Sequence, residues 1–444
     1  MTDTEHHPIS PPERPGPAMP RTFAPTMAAA HAALAAVRPG EYARSRNALD
    51  GASTRLSPYI THGFLTLPEV VAAVTAREPL EVQHLFIFEL GWREYFQHVW
   101  QHRGAAIFQS LHAGVLPDAA YADSLPADLL HACTGVPAID TAVRTLYATG
   151  HLHNHARMWL ASYAVHIRKR HWRAGAEWLY GHLLDGDLAS NHLSWQWVAG
   201  TGSGKPYLFN AANVARFAPA EWHSPGTVLD TRYDALDRIA RNAQATLPAP
   251  APRRRGSVCI DEPGRFAVPP PGLVPALAMP SAQAVRGRDV WLVHPWALGD
   301  LPADLAPNTL CIAAFIAQTH CEHAWSAARW NFVATRMAEL AATPWFGTAG
   351  ELATALSAAR SVQTVASAHL GDHLTPQVVC HPVPRLFPAV ATPCGSFSKW
   401  WSRATRQVRQ VGDLPGLSRA PVDLGTADVR AFPATDQLHR NTLP

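Results

Sequence analysis

The chain has 444 residues, of which 47% are hydrophobic and 16% are charged, and its formal net charge at pH 7 is +3. This length is sufficient for two domains with sizeable cores. No run of about 18 apolar residues occurs, which excludes a membrane-spanning helix. The mildly basic charge balance permits contact with DNA through a local patch without requiring it.

Two features of the composition concern the cell compartment. Residues 1–25 are rich in proline and lack a hydrophobic secretion core, so we expect a disordered leader. The six cysteines show no Cys-X-X-Cys spacing, which predicts reduced thiols. Together these features predict a cytoplasmic protein with no membrane partner.

The first candidate binding element is the run Ser53-Thr54-Arg55-Leu56-Ser57, which lies just ahead of a predicted helix. Hydroxyls, backbone amides and one guanidinium at the start of a helix suit a diphosphate. A plain helix cap is the alternative interpretation of the same residues.

A helix predicted over residues 85–100 places Glu89, Trp92, Arg93 and Phe96 at positions i, i+3, i+4 and i+7. This spacing puts an acid, an indole and a cation on one helix face. The combination is typical of a binding face rather than of an aliphatic core.

A second helical pattern places Asn154, Arg157, Met158 and Ala161 on one face. The Arg157 guanidinium can form a bidentate pair with a carboxylate such as Asp185, which makes the burial of both charges tolerable. We therefore expect this pair to hold two parts of the chain together.

Three histidines, His151, His153 and His155, alternate along the same segment and raise a metal-site alternative. On a helix, alternating side chains splay apart and cannot converge on one ion. No metal site is predicted.

The run from Asp185 to Trp197 combines carboxylates, an amide and indoles. Asp187, Asn191 and Trp195 fall at i, i+4 and i+8, so they form one helix stripe from a negative charge to an oxidisable ring. Such a stripe suits a flavin pocket. The alternative is structural, since aspartate is common at helix N-termini and tryptophan is common in interiors.

The second half of the chain has a different pattern. Residues 236–286 are rich in proline and arginine and are predicted to form an extended linker. Beyond them, β-like and helical runs alternate over 290–294, 310–316, 325–340 and 349–359. This alternation predicts a parallel sheet with covering helices. The expected fold class is α plus α/β: a helical domain over 26–235, then a smaller α/β domain over 287–444.

Five blocks of the chain resemble the photolyase and cryptochrome flavoproteins, most closely the class I photolyases that split cyclobutane pyrimidine dimers. The blocks are residues 53–57, 88–94, 134–140, the helix that begins near Asn154, and 185–197, and they follow the order of the family. The resemblance implies that the helical domain is an FAD-binding catalytic domain.

The resemblance also implies which residues hold FAD. The implied cofactor residues are Tyr42, Ser53, Thr54, Arg55, Leu56, Ser57, Arg157, Asp185, Asp187 and Asn191. The loop at 53–57 matches the pyrophosphate loop of the family, and Asn191 matches the residue that faces the flavin N5. A neutral amide there is compatible with a reduced, negatively charged flavin, which a carboxylate would repel.

Photolyases reduce their flavin through a chain of tryptophans, and Trp195 and Trp172 match its two inner members. The position of the outer member reads Ala119 in a loosely matching segment. Tyr121, Trp178 and Trp159 are the alternatives for the outer member, and the sequence does not choose between them.

The implied partner is damaged DNA, with the lesion flipped out of the duplex towards the flavin. The implied residues on the substrate side are Glu89, Trp92, Arg93, Asn154, Met158 and Trp197. Trp92 and Trp197 match two indoles that sandwich the dimer, and Glu89 matches an acid that bonds to the pyrimidine edges. Asn154 and Met158 stand where (6-4) photolyases have histidines, which favours cyclobutane dimers.

Two residues depart from the pattern of the family. His151 stands where many class I members have tryptophan, and His155 stands where an arginine usually meets the DNA phosphate. A neutral imidazole holds phosphate less firmly than a guanidinium does. The sequence therefore predicts a DNA affinity that is weaker, more pH-dependent, or directed to single strands.

The C-terminal region resembles the family only faintly. Residues 392–401 are similar to the last segment of an antenna domain, which in photolyases precedes the flavin domain. We therefore expect a diverged antenna-like domain moved to the C-terminus, with an unrelated α/β module as the alternative. A second chromophore remains open, as a folate, a deazaflavin or a second flavin.

Three functions compete on this evidence. The first is a light-dependent DNA lyase that acts as a monomer, the second is a cryptochrome-like photoreceptor without repair, and the third is a flavin-binding remnant with a structural role. Four residues favour the lyase, namely Glu89, Asn191, Trp92 and Trp197, whereas His151 and His155 leave room for the photoreceptor.

Overall fold

The computed structural model describes residues 22–244, 259–272, 277–342, 344–374 and 376–417. Most of the expected leader therefore lies outside the described residues. Its last residues do not match the expectation of disorder, because the Phe23 ring packs against Tyr59 and His151 at centroid distances of 6.1 and 5.2 Å. The Tyr59 hydroxyl also donates to Ala24 O over 3.1 Å.

The first half of the chain is helical, as predicted. Its helices are α1 Met27–Ala35, α2 Pro39–Ser45, α3 Ser57–Thr61, α4 Leu67–Thr75, α5 Leu85–Arg103, α6 Ala127–Leu130, α7 Pro137–Thr149, α8 Asn154–Ser162, α9 Trp172–His182, α10 Leu188–Ala199, α11 Ala211–Phe217 and α12 Tyr233–Arg241. None of the helices in the described ranges is both long and apolar enough to cross a membrane.

Local sequence explains where the functional helices begin and end. The Asp187 side chain caps α10 by accepting from Ser190 N over 2.7 Å, and the helix stops at Gly200, whose φ of +87° is left-handed. The His153 side chain caps α8 by accepting from His155 N over 3.1 Å. These caps fix the starts of the helices that carry Arg157 and Asn191, two of the predicted flavin residues.

The predicted linker is partly structured. Helix α12 runs across the expected boundary at 235, and residues 259–266 pack onto the helical region. Ile260 N donates to His131 O over 3.0 Å, and Cys259 forms a disulfide with Cys133. The prediction of six reduced thiols is therefore wrong for this pair, because the folded linker brings the two sulfurs together. The segment Pro248–Arg255 lies outside the described residues.

The C-terminal part is an α/β domain, as predicted. Its strands are β1 Arg265–Phe266, β2 Asp289–Val293, β3 Leu310–Ile316, β4 Trp325–Ser326, β5 Trp345–Gly347, β6 Ser361–Val365 and β7 Val378–His381. Its helices are α13 Ala282–Val285, α14 Ala317–Glu322, α15 Ala327–Leu340, α16 Ala349–Leu356 and α17 Phe397–Ala404. Five strands form a parallel sheet in the order β5-β3-β2-β6-β7. Strands β1 and β4 form a separate antiparallel pair.

The two halves share one hydrophobic core. Apolar residues of α1 to α5, of parts of α9 and α10 and of the α/β domain form a single buried cluster, while helices α6 to α12 enclose a second cluster. The Phe332 ring of α15, for example, lies 5.7 Å from Phe64 and 6.1 Å from Tyr59. The α/β domain is therefore packed directly against the flavin half of the chain.

Helix α17 extends this shared core along α5. A Cβ placed on Gly91 would lie 2.6 Å from the Trp401 ring, so only glycine permits this approach. The Phe397 ring packs against Phe88 at 4.7 Å in the same contact. The end of the α/β domain thus covers one side of the helix that carries Glu89 and Trp92.

Candidate functional site

The loop predicted to hold a diphosphate leads into α3. Arg55 has a left-handed φ of +52°, an uncommon conformation for a residue with a side chain. Its guanidinium lies 4.5 Å above the Phe23 ring. Leu56 is buried with 1% exposure and anchors the loop, whereas Ser53 is exposed. The loop therefore presents hydroxyl groups beside a cation.

The predicted pair between Arg157 and Asp185 is present in the structure. Arg157 Nη2 donates to both carboxylate oxygens at 2.9 and 2.7 Å, and Nε donates to Leu152 O over 2.7 Å. Asp185 is 3% exposed and Arg157 is 23% exposed. Burial alone would raise the pKa of Asp185, but the guanidinium, with help from His151, holds it well below its ordinary value.

The same carboxylate connects to the diphosphate loop. The Ser57 hydroxyl bonds to Asp185, and the Thr61 hydroxyl donates to Asp185 O over 3.3 Å. Arg93 Nη2 donates to that Thr61 hydroxyl over 2.9 Å. Arg93, a predicted substrate-side residue, is thus linked through Thr61 to the segment that carries Asp185.

Asp187 lies two residues further on, at the start of α10. Its carboxylate accepts from Gln97 Nε2 over 3.0 Å and lies 3.5 Å from His369 Nε2. Burial would raise its pKa, but His369 and Arg93 bring the pKa below its ordinary value. Both carboxylates of the predicted flavin segment are therefore buried and ionised.

Asn191 and Trp195 follow on α10 with the predicted spacing. Asn191 Nδ2 donates to Ala176 O of α9 over 2.8 Å. The Trp195 ring lies directly on α9, since a Cβ on Gly175 would be 2.2 Å from it. Trp172 begins α9, and its indole donates to Ser110 Oγ over 3.0 Å. Helix α9 therefore supports both inner members of the predicted electron relay.

The candidates for the outer relay member differ in their exposure. Trp159 and Trp178 are 1% and 2% exposed, whereas Tyr121 is half-buried. Tyr121 lies 6.5 Å from the His171 ring, which in turn lies 5.6 Å from Trp172. Of the three alternatives, Tyr121 is the one that combines access to solvent with a ring contact leading to the relay.

The substrate candidates on α5 have neighbours that the sequence did not indicate. Glu89 forms an ion pair with Arg46 at 3.0 Å, and burial raises its pKa. Tyr42 belongs to this cluster, because burial and the nearby Glu89 raise its pKa to about 12, and its ring meets Phe86 edge-on at 5.9 Å. The structure thus groups Tyr42 with Glu89 and Arg46.

Trp92, a predicted stacking residue, has one face of its ring covered in the structure. Its indole is half-buried and stacks on Phe397 of α17, with a centroid distance of 4.1 Å and an interplanar angle of 8°. The cause is the packing of α17 along α5. Trp197, the other predicted stacking residue, is 40% exposed and lies 5.7 Å from Tyr207.

The residues at the start of α8 face outward or towards separate partners. Asn154 is exposed, and its amide lies 3.8 Å from Met158 Sδ. His155 Nδ1 lies 2.8 Å from Asn47 O, while burial lowers the pKa of His151 and of His153 to about 4. The histidines in this run are therefore neutral near pH 7, and each of them contacts a different partner.

Two side chains of the α/β domain reach this site and were missed from the sequence. Arg329 donates to Gly186 O over 2.6 Å, and His369 accepts from Leu188 N over 3.3 Å. For Arg329, the available sequence signal was a charged residue among the aromatic residues at the start of α15. Its partner Gly186 lies 143 residues away, so the sequence did not indicate what it contacts.

Comparisons with known proteins agree with this geometry. Residues 86–222 match the model of the FAD binding domain of DNA photolyase. Over these residues the helical region is similar to the photolyase and cryptochrome family.

Individual relatives cover part of the chain. It is 35% identical over 164 residues to a deoxyribodipyrimidine photo-lyase of Streptomyces griseus, covering 34% of this chain and 33% of that protein. It is 33% identical over 171 residues to a cryptochrome DASH of Idiomarina loihiensis, covering 37% and 38%. The solved cryptochrome of Synechocystis matches with a TM-score of 0.39 at 28% identity, covering 44% of each chain. The chain thus spans less than half the length of each of these proteins.

The residues of this photolyase-type domain fit FAD by the chemistry of their donors. The loop at 53–57 and Arg157 supply hydroxyls and guanidinium groups suited to a diphosphate, and they meet at Asp185. Asn191 supplies a buried neutral amide close to the inner indoles. This donor set contains both a cationic and a neutral part, as a dinucleotide with a flavin ring requires.

Proposed function

We propose that this chain is a light-dependent DNA-repair flavoprotein that splits cyclobutane pyrimidine dimers. The observation that carries the proposal is the buried Arg157–Asp185 pair, joined to the 53–57 loop, within a photolyase-type FAD-binding domain. When bound and reduced, FAD supplies an electron to the lesion after absorbing blue light.

The proposed FAD-holding residues act together. They are Tyr42, Ser53, Thr54, Arg55, Leu56, Ser57, Arg157, Asp185, Asp187 and Asn191. The loop hydroxyls and Arg55 bind the diphosphate, while the ion pair keeps Asp185 ionised and fixed beside Arg157. Asn191 hydrogen-bonds the ring without repelling its negative charge.

The proposed substrate side uses Trp197, Glu89, Asn154 and Met158. A flipped-out base stacking on the exposed Trp197 gains roughly 1–3 kcal/mol. Glu89 has a raised pKa, so its protonated form is more accessible and can donate a hydrogen bond to a pyrimidine oxygen. Asn154 and Met158 contact each other on α8, and in this proposal they contribute further lining residues for the lesion.

The proposed partner is DNA that contains pyrimidine dimers. The monomeric state, the cytoplasmic location, the limits of the domains and a second chromophore in the α/β domain remain predictions. The inner electron relay through Trp195 and Trp172 is part of the same proposal, with Tyr121 as its outer member.

The test has two stages. A flavin absorbance spectrum of the purified protein first shows whether the cofactor is bound. The reduced protein is then illuminated with an oligonucleotide that contains one thymine dimer, and restored thymines are counted. The proposal predicts repair in the light and none in the dark, with Glu89→Gln slower but still holding flavin. Restoration that is equal in Glu89→Gln would contradict the role of Glu89.

A cryptochrome-like photoreceptor is the second candidate, favoured by the Phe397 ring that covers one face of Trp92. Phe397→Ala separates the two candidates. A lyase gains or retains repair when this face is freed, whereas a photoreceptor shows an intact flavin spectrum and restores no thymines in either form. The latter result would overturn the lyase proposal.

A further inference from the structure

A guanidinium from the α/β domain is fully buried against the flavin segment of the helical domain. Arg329, near the start of α15, has 0% exposure. Its Nη1 donates to Tyr180 O over 3.0 Å, and its Nη2 donates to Gly186 O over 2.6 Å. The planar group lies between the rings of Tyr180 and Trp325, at 4.5 and 4.2 Å.

Both acceptors belong to the connection between α9 and α10. Tyr180 O lies in the last turn of α9, where helix carbonyls lack partners within the helix. In a continuing helix, Tyr180 O would accept from the amide of Leu184, but that amide donates to Gly150 O over 2.7 Å. Gly186 O lies between the two buried aspartates. One rigid fork thus joins the end of α9 to the turn that carries Asp185 and Asp187.

The turn packs tightly against this fork at Gly186. A Cβ on Gly186 would lie 2.5 Å from Arg329 Nη1 and 2.7 Å from Tyr180 O. His369 adds a second contact from the same domain, because its Nε2 accepts from Leu188 N while its ring stacks on Trp296 at 4.6 Å. The α/β domain therefore holds the backbone on both sides of Asp187.

The charges around the turn favour the same compact conformation. Asp185 and Asp187 are two buried anions, and Arg157 compensates the first from within the helical domain. Arg329 lies against the carbonyl between them and supplies a second buried cation. A buried charge without compensation is costly, so removal of this cation disfavours the compact turn.

From these contacts we infer that Arg329 is a positioning residue for FAD binding. It acts through the Asp185–Asp187 turn, which it holds in the conformation that presents both carboxylates, and the α/β domain thereby controls the affinity of the flavin site. This inference rests on the proposed FAD site and goes beyond it, because it assigns the control of that site to the other domain.

The test compares Arg329→Met with Arg336→Met. Arg336 is a matched control, since it lies on the same helix, is 7% exposed, and bonds to Leu298 O and Asp300 rather than to the turn. Hydrogen exchange of the peptide 183–190, measured without flavin, reports the turn directly. We expect at least tenfold faster exchange in Arg329→Met and no change in Arg336→Met.

The second readout is the affinity of the flavin-depleted protein for FAD, measured by quenching of flavin fluorescence. We expect at least a tenfold increase of Kd in Arg329→Met, a smaller increase in Arg329→Lys, and a change under threefold in Arg336→Met. If Arg329→Met does not fold, Arg329→Lys carries the test, because it keeps the charge and loses the fork.

Unchanged exchange and Kd in the folded Arg329 variants would overturn the inference, as would an equal effect of Arg336→Met. These outcomes are independent of repair. A protein that binds FAD with the expected Arg329 effect but restores no thymines contradicts the lyase proposal alone.

Discussion

The Arg157–Asp185 pair allows a prediction about folding and flavin binding together. Arg157→Met removes the cation and leaves a carboxylate that is 3% exposed, whereas Asp185→Asn leaves a guanidinium that is already 23% exposed. At the observed 2.7 Å and an effective dielectric of about 20, the attraction is ~6 kcal/mol before desolvation is subtracted. After desolvation, we expect Arg157→Met to lower the free energy of unfolding by about 3 kcal/mol.

The assay is a double-mutant cycle by urea unfolding at pH 7. We expect Asp185→Asn to cost less than Arg157→Met, and the double variant to recover about 2 kcal/mol relative to the sum of the single changes. Flavin content should fall in all three variants. A coupling energy below about 0.5 kcal/mol would show that the pair contributes nothing as a pair, and would refute this reasoning.

The pH dependence of the same variants follows from the sign of the shift. The pKa of Asp185 in the folded protein lies below its ordinary value of 3.8, so its stabilising contribution is present above that value and is lost as the pH falls through the folded pKa. In Arg157→Met, the largest interaction that opposes the effect of burial is lost, so the pKa of Asp185 rises. The difference in stability between wild type and Arg157→Met should therefore narrow as the pH is lowered below about 4.

Three further predictions concern the joined halves. Gly91→Ala forces the Trp401 ring away from α5, so we expect a loss of about 1–3 kcal/mol in urea unfolding, whereas Gly395→Ala on the same segment, with open space around it, should be neutral. Burial raises the pKa of Glu94 to about 7, so the folded state binds the extra proton between pH 4.5 and 7, and wild type should lose stability relative to Glu94→Gln as the pH rises through that window; a difference that does not change with pH would contradict this. Cys133→Ser opens a crosslink that spans 126 residues and should lower stability by about 2–4 kcal/mol; reductant should produce the same loss in wild type and none in the variant.

The sequence predicted most of what depends on neighbouring residues. The helix over α5, the stripe on α10 and the parallel sheet follow from periodicity, which acts within a few turns of chain. The Arg157–Asp185 pair, whose members are 28 residues apart, was predicted from charge. Arg157 is the one cation among the four residues predicted to share its helix face, and a buried guanidinium needs a carboxylate partner.

What the sequence did not show are contacts between distant parts of the chain. Arg329 and Gly186 are 143 residues apart, His369 and Leu188 are 181 apart, and the disulfide spans 126. No periodic pattern connects such positions, because their proximity is decided by how whole domains pack. The cover of Trp92 by a ring of α17 is of the same kind.

The hydrophobic core shared by the two halves constrains which substitutions the protein can accept during evolution. The helical part and the α/β part depend on each other for stability, since deleting either would expose apolar rings such as Phe64 and Phe332 to water. A substitution in the core residues of one part must be compensated by a substitution in the residues that it contacts in the other part. We therefore expect correlated substitutions at Gly91 and Trp401 among descendants of this chain, even though neither residue is proposed to touch the flavin or the lesion.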